Sequence, residues 1–217
     1  MVKSSKILMS ACGVMITALS VGAFKFSAFG VDPFQSFMCG VDACFSLEFG
    51  TLYVIVNALL LFFSLAFDRH YIGIATFINL FLLGYVVEFS QNTLELLFPV
   101  PSLLFRAFLF LLGFLFLCFG SSLYMTADLG VSTYDAVALI LSEKWKLGRF
   151  QFVRIATDAV CIVLGIALFC LGGGSVSEVF SFVGIGTVLT AFCMGPLIDL
   201  FNKKVSGRLL SRLREAR

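Results

Sequence analysis

The sequence predicts an all-α membrane protein: six transmembrane helices as two inverted three-helix repeats, each with a short re-entrant or interfacial helix after its first span. Three observations predict it. Of the 217 residues 60% are apolar and 13% charged, against roughly 25% charged in soluble domains, and the mean hydropathy is +1.04. Six apolar stretches are each long enough to cross about 30 Å of hydrocarbon as a helix. A set of glycines and one acid recurs in the same order in both halves.

The stretches are 7–29, 50–67, 71–90, 103–127, 150–171 and 177–200. Backbone groups in lipid must be satisfied internally, which leaves helices or a closed barrel, and these runs are too continuous for barrel strands. Lys3 and Lys6 ahead of the first stretch also describe a signal peptide. Its length, and the recurrence of a similar segment in mid-chain, favour a retained span. The chain divides into a first repeat, 1–100, a second, inverted repeat, 101–202, and a basic amphipathic tail, 203–217. No room is left for a soluble catalytic domain of usual size.

Basic residues set the orientation. With the N-terminus cytoplasmic, Lys3, Lys6, Arg69, Lys144, Lys146, Arg149, Lys203, Lys204, Arg208, Arg212, Arg214 and Arg217 all fall on the inner side. Lys25, Arg106 and Arg154 lie within or at the rim of spans, and the outer connections hold none. Both termini are therefore expected in the cytoplasm, and Trp145 reads as a headgroup-level anchor.

The repeat rests on ordered matches. Gly13, Gly30-Val31 and Phe34 pair with Gly113, Gly130-Val131 and Tyr134, and Gly50 pairs with Gly148. Gly73-Ile74, Thr76, Phe81, Gly84 and Glu88 pair with Gly184-Ile185, Thr187, Phe192, Gly195 and Asp199. Three spans per half force the second copy upside down. Inverted repeats recur in secondary transporters, with solute sites between them.

Each half breaks after its first span, at Gly30-Val31-Asp32-Pro33-Phe34-Gln35 and Gly130-Val131-Ser132-Thr133-Tyr134-Asp135. Glycine can end a helix in the left-handed region. Asp32 and Ser132 suit N-caps, Pro33 suits the first helical position, and Gln35 and Asp135 complete capping boxes. Short helices are expected over 33–47 and 133–145. They either lie flat at the surface or dip into a shared cavity, and the sequence alone leaves both open.

Ionisable side chains at bilayer depth face a bundle interior or cavity. Arg154 and Asp158, four residues apart, predict an ion pair, either a substrate or proton site or a structural pin. Asn57 lies in mid-span, and Thr76, Asn79 and Thr187 can bond between helices. Glu88 and Asp199 near opposite faces snorkel or gate. Lys25 snorkels or pairs with Asp32. Thr187, Ala191 and Gly195 form a small-residue stripe that predicts a close-packing seam. The seven cysteines read mainly as apolar fillers, and His70 as a solvated loop residue. No metal spacing occurs.

Gly30-Val31-Asp32-Pro33-Phe34, Gly130-Val131-Ser132-Thr133-Tyr134-Asp135, Arg154-Ile155-Ala156-Thr157-Asp158 and the Gly184 to Pro196 stretch together resemble the YczE/YyaS/YitT-type bacterial membrane proteins. That resemblance covers nearly the whole chain and implies a bacterial cytoplasmic-membrane protein. It supplies no substrate. Tyr85 stands where the second half has Pro196, so a kink is expected in one half only.

The expected function is a small-solute transporter or channel. Asp32, Gln35, Asn57, Ser132, Thr133, Tyr134, Asp135, Arg154 and Asp158 are the residues expected to line its pathway. Arg154 is placed to hold an anionic or zwitterionic solute, and Asp158 to couple protons. The alternative is a non-transporting membrane subunit or regulator of another complex. An enzyme is not expected, because paired-Asp protease, metal and G-x-S-x-G signatures are missing. No cofactor is expected. Expected partners are the bilayer, a small solute and anionic lipid at the tail. A homo-oligomer is left open, and nucleic acid is not expected.

Overall fold

The computed structural model describes residues 2–215, which are helical with short connections. In chain order the helices are α1 (Val2–Ser27), α2 (Pro33–Cys44), α3 (Phe49–Phe67), α4 (Ile74–Leu97), α5 (Leu103–Ala127), α6 (Thr133–Leu139), α7 (Phe150–Leu171), α8 (Val176–Phe182), α9 (Ile185–Phe201) and α10 (Gly207–Glu215). A 3₁₀ turn, Arg69–Tyr71, precedes α4, and wider π turns follow α6 (Ile140–Lys144) and α9 (Asn202–Ser206). Among the described residues six segments are long and apolar enough to cross a membrane. Their outer surfaces carry exposed large apolar side chains such as Phe62, Leu104 and Phe192, as expected where lipid replaces water.

α1 and α5 form the centre and cross antiparallel. Gly13 packs on the backbone of Gly120, while Ser20 O lies over Gly113. Small residues let the backbones approach closely enough for dispersion to hold helices together where lipid removes the hydrophobic driving force. α4 packs on α1 through Gly22 and Ser90, and Ser90 Oγ donates to Leu19 O at 3.1 Å.

The two breaks follow the same backbone course. Ala28 (φ 53) and Gly30 (φ 108) end α1, and Asp128 (φ 55) and Gly130 (φ 106) end α5. Each break then bonds to the connection ahead of the last long helix in the other half of the chain. Val31 N donates to Phe182 O (3.0 Å) and Gly186 N to Phe29 O (2.8 Å). Likewise Val131 N donates to Tyr71 O (3.1 Å) and Ala75 N to Leu129 O (2.9 Å). A Cβ on Gly30 would fall 2.7 Å from Thr187 Oγ1, and one on Gly130 2.5 Å from Gly73 N. Both the positive φ and the close approach therefore demand glycine.

Several sequence expectations need correction. The stretch 177–200 is not one helix: α8 stops at Phe182, and Gly184 is extended (φ −152, ψ −159) before α9 restarts. Thr187 Oγ1 accepts from Gly184 N at 3.2 Å, as Thr76 Oγ1 does from Gly73 N at 3.2 Å, so each threonine caps a new helix. The stretch 71–90 continues as α4 to Leu97, where Gln91 donates to Glu95 at 2.9 Å along the exposed face. Gly50 and Gly148 are not equivalents. Gly50 lies inside α3 against Tyr85, whereas Gly148 (φ 159) belongs to the connection before α7. The seam proposed through Gly195 is not one, because nothing lies within 4 Å of a Cβ there. Lys25 meets the face of Phe49, 3.2 Å from the ring centroid, and makes no ion pair with Asp32.

Candidate functional site

The short helices begin in the middle of the bundle. α2 runs beside the C-terminal half of α7, with Gly40 against the backbone of Gly165 and Ala43 against Gly172. α6 and its π turn run beside the C-terminal half of α3, from Thr133 at Asn57 to Lys144 Nζ at Phe67 O. Their first turns meet, and Phe34 stacks on Tyr134 with centroids 4.9 Å apart and planes 20° from parallel. Both short helices therefore start inside the helical bundle.

The sequence dictates these starts. Asp32 Oδ1 accepts from Gln35 N at 3.2 Å, and Ser132 Oγ accepts from Asp135 N at 3.1 Å, capping α2 and α6. Neither capping box closes. The Gln35 side chain makes no return bond, and Asp135 turns elsewhere.

Asp135 turns toward Arg154. The guanidinium sits between two carboxylates, bonding Asp135 Oδ1 through Nη1 and Asp158 Oδ1 through Nε at 3.2 Å. It also lies over the Tyr134 ring, 4.3 Å from the centroid. Tyr134 OH donates to Asp158 Oδ1 at 2.6 Å, while Asp135 Oδ2 accepts from Tyr124 OH (3.1 Å) and Ser132 Oγ (2.7 Å). The two tyrosines and the serine thus link the carboxylates across α5, α6 and α7. Burying an ion pair is favourable only when its remaining lone pairs are satisfied in this way. An incoming anion would have to displace one of those carboxylates from Arg154.

A neighbouring chain of bonds spans the other half. Thr133 Oγ1 donates to Asn57 Oδ1 (2.5 Å), Asn57 Nδ2 donates to Tyr53 O (2.8 Å), and Tyr53 OH donates to Asn79 Oδ1 (3.3 Å).

Between these groups lies a cavity of about 820 Å³, reaching from Asp32 and Gln35 to Asp199 and Lys203 at the end of α9. That is ample for a small organic molecule. Eight of the nine residues singled out from the sequence line it: Asp32, Gln35, Asn57, Ser132, Tyr134, Asp135, Arg154 and Asp158. Thr133 is buried behind the wall, holding Asn57. Sequence reasoning missed Tyr53, Tyr124, Thr17 and Ser121, which also line the cavity. Tyr53 stands one turn before Asn57, a spacing that could have flagged it. Tyr124 lies in an apolar run that gave no such signal.

Two buried polar atoms in the wall have no bonding partner among the described residues: Gln35 Oε1, on a side chain 3% exposed, and Thr17 Oγ1, on one 8% exposed. Such orphans are rare. No cluster of potential metal ligands occurs among the described residues.

Comparison with known proteins identifies a family without a described activity. The family model described as "Family of unknown function (DUF6198)" matches residues 4–203. The "Uncharacterized membrane protein YczE" of Bacillus subtilis is 27% identical over 202 residues, covering 92% of this chain and 86% of its own. The "Uncharacterized protein YyaS" of the same organism is 24% identical over 202 residues, covering 93% and 94%. An "Uncharacterized protein" of Haemophilus influenzae is 26% identical over 194 residues, covering 87% and 81%. No solved structure matches.

Proposed function

We propose that this chain, a member of the DUF6198 family and a multi-pass membrane protein, carries a small solute across the bacterial cytoplasmic membrane through a site between two inverted repeats. The observation that carries the reading is the 820 Å³ cavity, walled from both halves and holding a buried Asp135–Arg154–Asp158 triad. Ionisable groups at that depth are costly, so a chain that only needed to span the membrane would lack them. The matching breaks, and the exchange of bonds between each break and the opposite half, support inverted repeats. Helices that start at the centre of a bundle and end at opposite faces are the usual walls of alternating-access sites.

In this reading both termini are cytoplasmic, the cavity opens inward at Lys203, and the basic tail rests on anionic lipid. Topology is checked by labelling in a background with the other cysteines replaced by alanine: Cys44, exposed at the end of α2, should react from outside, and, with Cys44 also replaced, a Glu143→Cys thiol from inside. Equal accessibility from one side would overturn the inversion. Function is checked by screening proteoliposomes for solute-dependent flux. Once a flux is found, Asp158→Asn and Arg154→Ala should each abolish it. A flux unchanged in both variants removes the triad from the mechanism. Absence of any flux, together with stable co-purification of a second membrane protein, would favour the subunit alternative.

A further inference from the structure

The cavity's chemistry narrows the solute further, and the step rests on the transport reading above. We propose that the cavity binds an organic cation with N–H donors, a protonated amine, whose charge sits at Asp32 and whose apolar body lies against Phe34, Tyr53 and Tyr134.

The first argument is charge. Four carboxylates line the cavity (Asp32, Asp135, Asp158 and Asp199) against two cations, Arg154 and Lys203. Near the centre the ratio is three to one, and Arg154 is already shared between Asp135 and Asp158. Asp32 has no ion-pair partner among the described residues. Unpaired charge in a low-dielectric interior is costly unless a counter-charge arrives. A cationic solute supplies that counter-charge; an anion would worsen the imbalance.

The helix start does not reverse this. A free helix N-terminus attracts anions, but the start of α2 already has its anion, because Asp32 Oδ1 accepts the Gln35 N–H at 3.2 Å.

The second argument is the orphaned polar atoms. Gln35 Oε1 and Thr17 Oγ1 are buried in this wall without partners. Both accept hydrogen bonds. Gln35 is the residue beside Asp32, and an ammonium N–H there would satisfy its Oε1 where a quaternary ammonium could not. The third argument is the aromatic wall. Phe34 stacks on Tyr134 and meets Tyr53 edge-on at 6.0 Å, and aromatic faces attract cations.

The test uses the purified full-length protein and three probes sharing one phenyl-alkyl body: 2-phenylethylamine, 3-phenylpropanoate and phenylalanine. Binding is read by calorimetry and by the shift in unfolding temperature. The amine should bind and the other two should not. Asp32→Asn, which keeps the N-cap, should weaken amine binding about tenfold or more. Stronger binding of the carboxylate or the amino acid, binding of none of the three, or amine binding unchanged in a folded Asp32→Asn protein would each overturn the proposal. An amine that binds through Asp32 yet is not carried into liposomes overturns transport and leaves the cation site standing. Carriage of the carboxylate overturns the cation site and leaves transport standing.

Discussion

Removing Arg154 should destabilise the protein far more than removing one of its partners. The guanidinium bonds Asp135 and Asp158, both buried, and its own side chain is 24% exposed to the cavity. Arg154→Ala leaves two buried carboxylates facing each other without a cation. Breaking a buried pair from one side costs about 3–5 kcal/mol. Cavity water at a partly exposed side chain screens part of that, so about 3 kcal/mol is the better expectation. For a chain of this size it corresponds to a fall of roughly 6–12 °C in unfolding temperature. Asp158→Asn should cost less, because Asp135 still holds the guanidinium. The double variant Arg154→Ala/Asp158→Asn should recover part of the loss, since one stranded charge is gone. A thiol-reactive dye during heating provides the assay in a background where the other six cysteines are replaced by alanine: Cys118 is 0% exposed and becomes reactive only when the bundle opens. If Arg154→Ala costs under about 1 kcal/mol, or if the two substitutions add without coupling, the triad is not the buried electrostatic unit described.

Three further outcomes follow from other contacts. Thr133→Val strands Asn57 Oδ1 in the core and should cost about 1–3 kcal/mol in the same dye assay, whereas Thr133→Ser should cost little. Gly30→Ala and Gly130→Ala each place a Cβ against the opposite half at positive φ, and each should lower the yield of folded protein on size-exclusion chromatography, while Gly195→Ala, with open space around it, should not. Tyr71, in the turn before α4, donates to Glu143 at 2.5 Å, and that bond pushes its hydroxyl up to about 12. The raised value means the neutral phenol is favoured in the fold, so the contact persists below the ordinary tyrosine value near 10 and is lost as pH rises through about 12. The difference in ultraviolet titration between the protein and Tyr71→Phe should show a step near pH 12, moving toward 10 in Glu143→Gln.

How much of this was legible in the sequence depends on the reach of the interaction. Spans follow from runs of apolar residues, and the starts of α2 and α6 follow from caps three residues long, so 103–127 and 150–171 coincide with α5 and α7. Where a boundary depends on a distant partner, sequence reasoning fails. The interruption at Gly184 hides inside an apolar run, because what fixes it is the pairing of Phe182 O and Gly186 N with Val31 and Phe29, some 150 residues away. The π turn at Ile140–Lys144 likewise ends where Lys144 reaches Phe67 O.

The site shows the same division. The spacing of Arg154 and Asp158 announces their pair, but Asp135 matches a capping box equally well, and only the fold shows its carboxylate spent on Arg154 while Ser132 alone caps the helix. That substitution of roles explains the cavity's asymmetry. In the first break the acid is the cap itself, Asp32, and the residue three places on is the neutral Gln35. In the second the cap is the neutral Ser132, and the acid three places on meets a cation. Two breaks with one backbone course thus present carboxylates in different settings to one cavity: on one side two that share Arg154, on the other one with no ion-pair partner among the described residues. A binding site built between equivalent segments needs such a difference to hold an asymmetric solute in one orientation, and Asp32 is where the sequence supplies it.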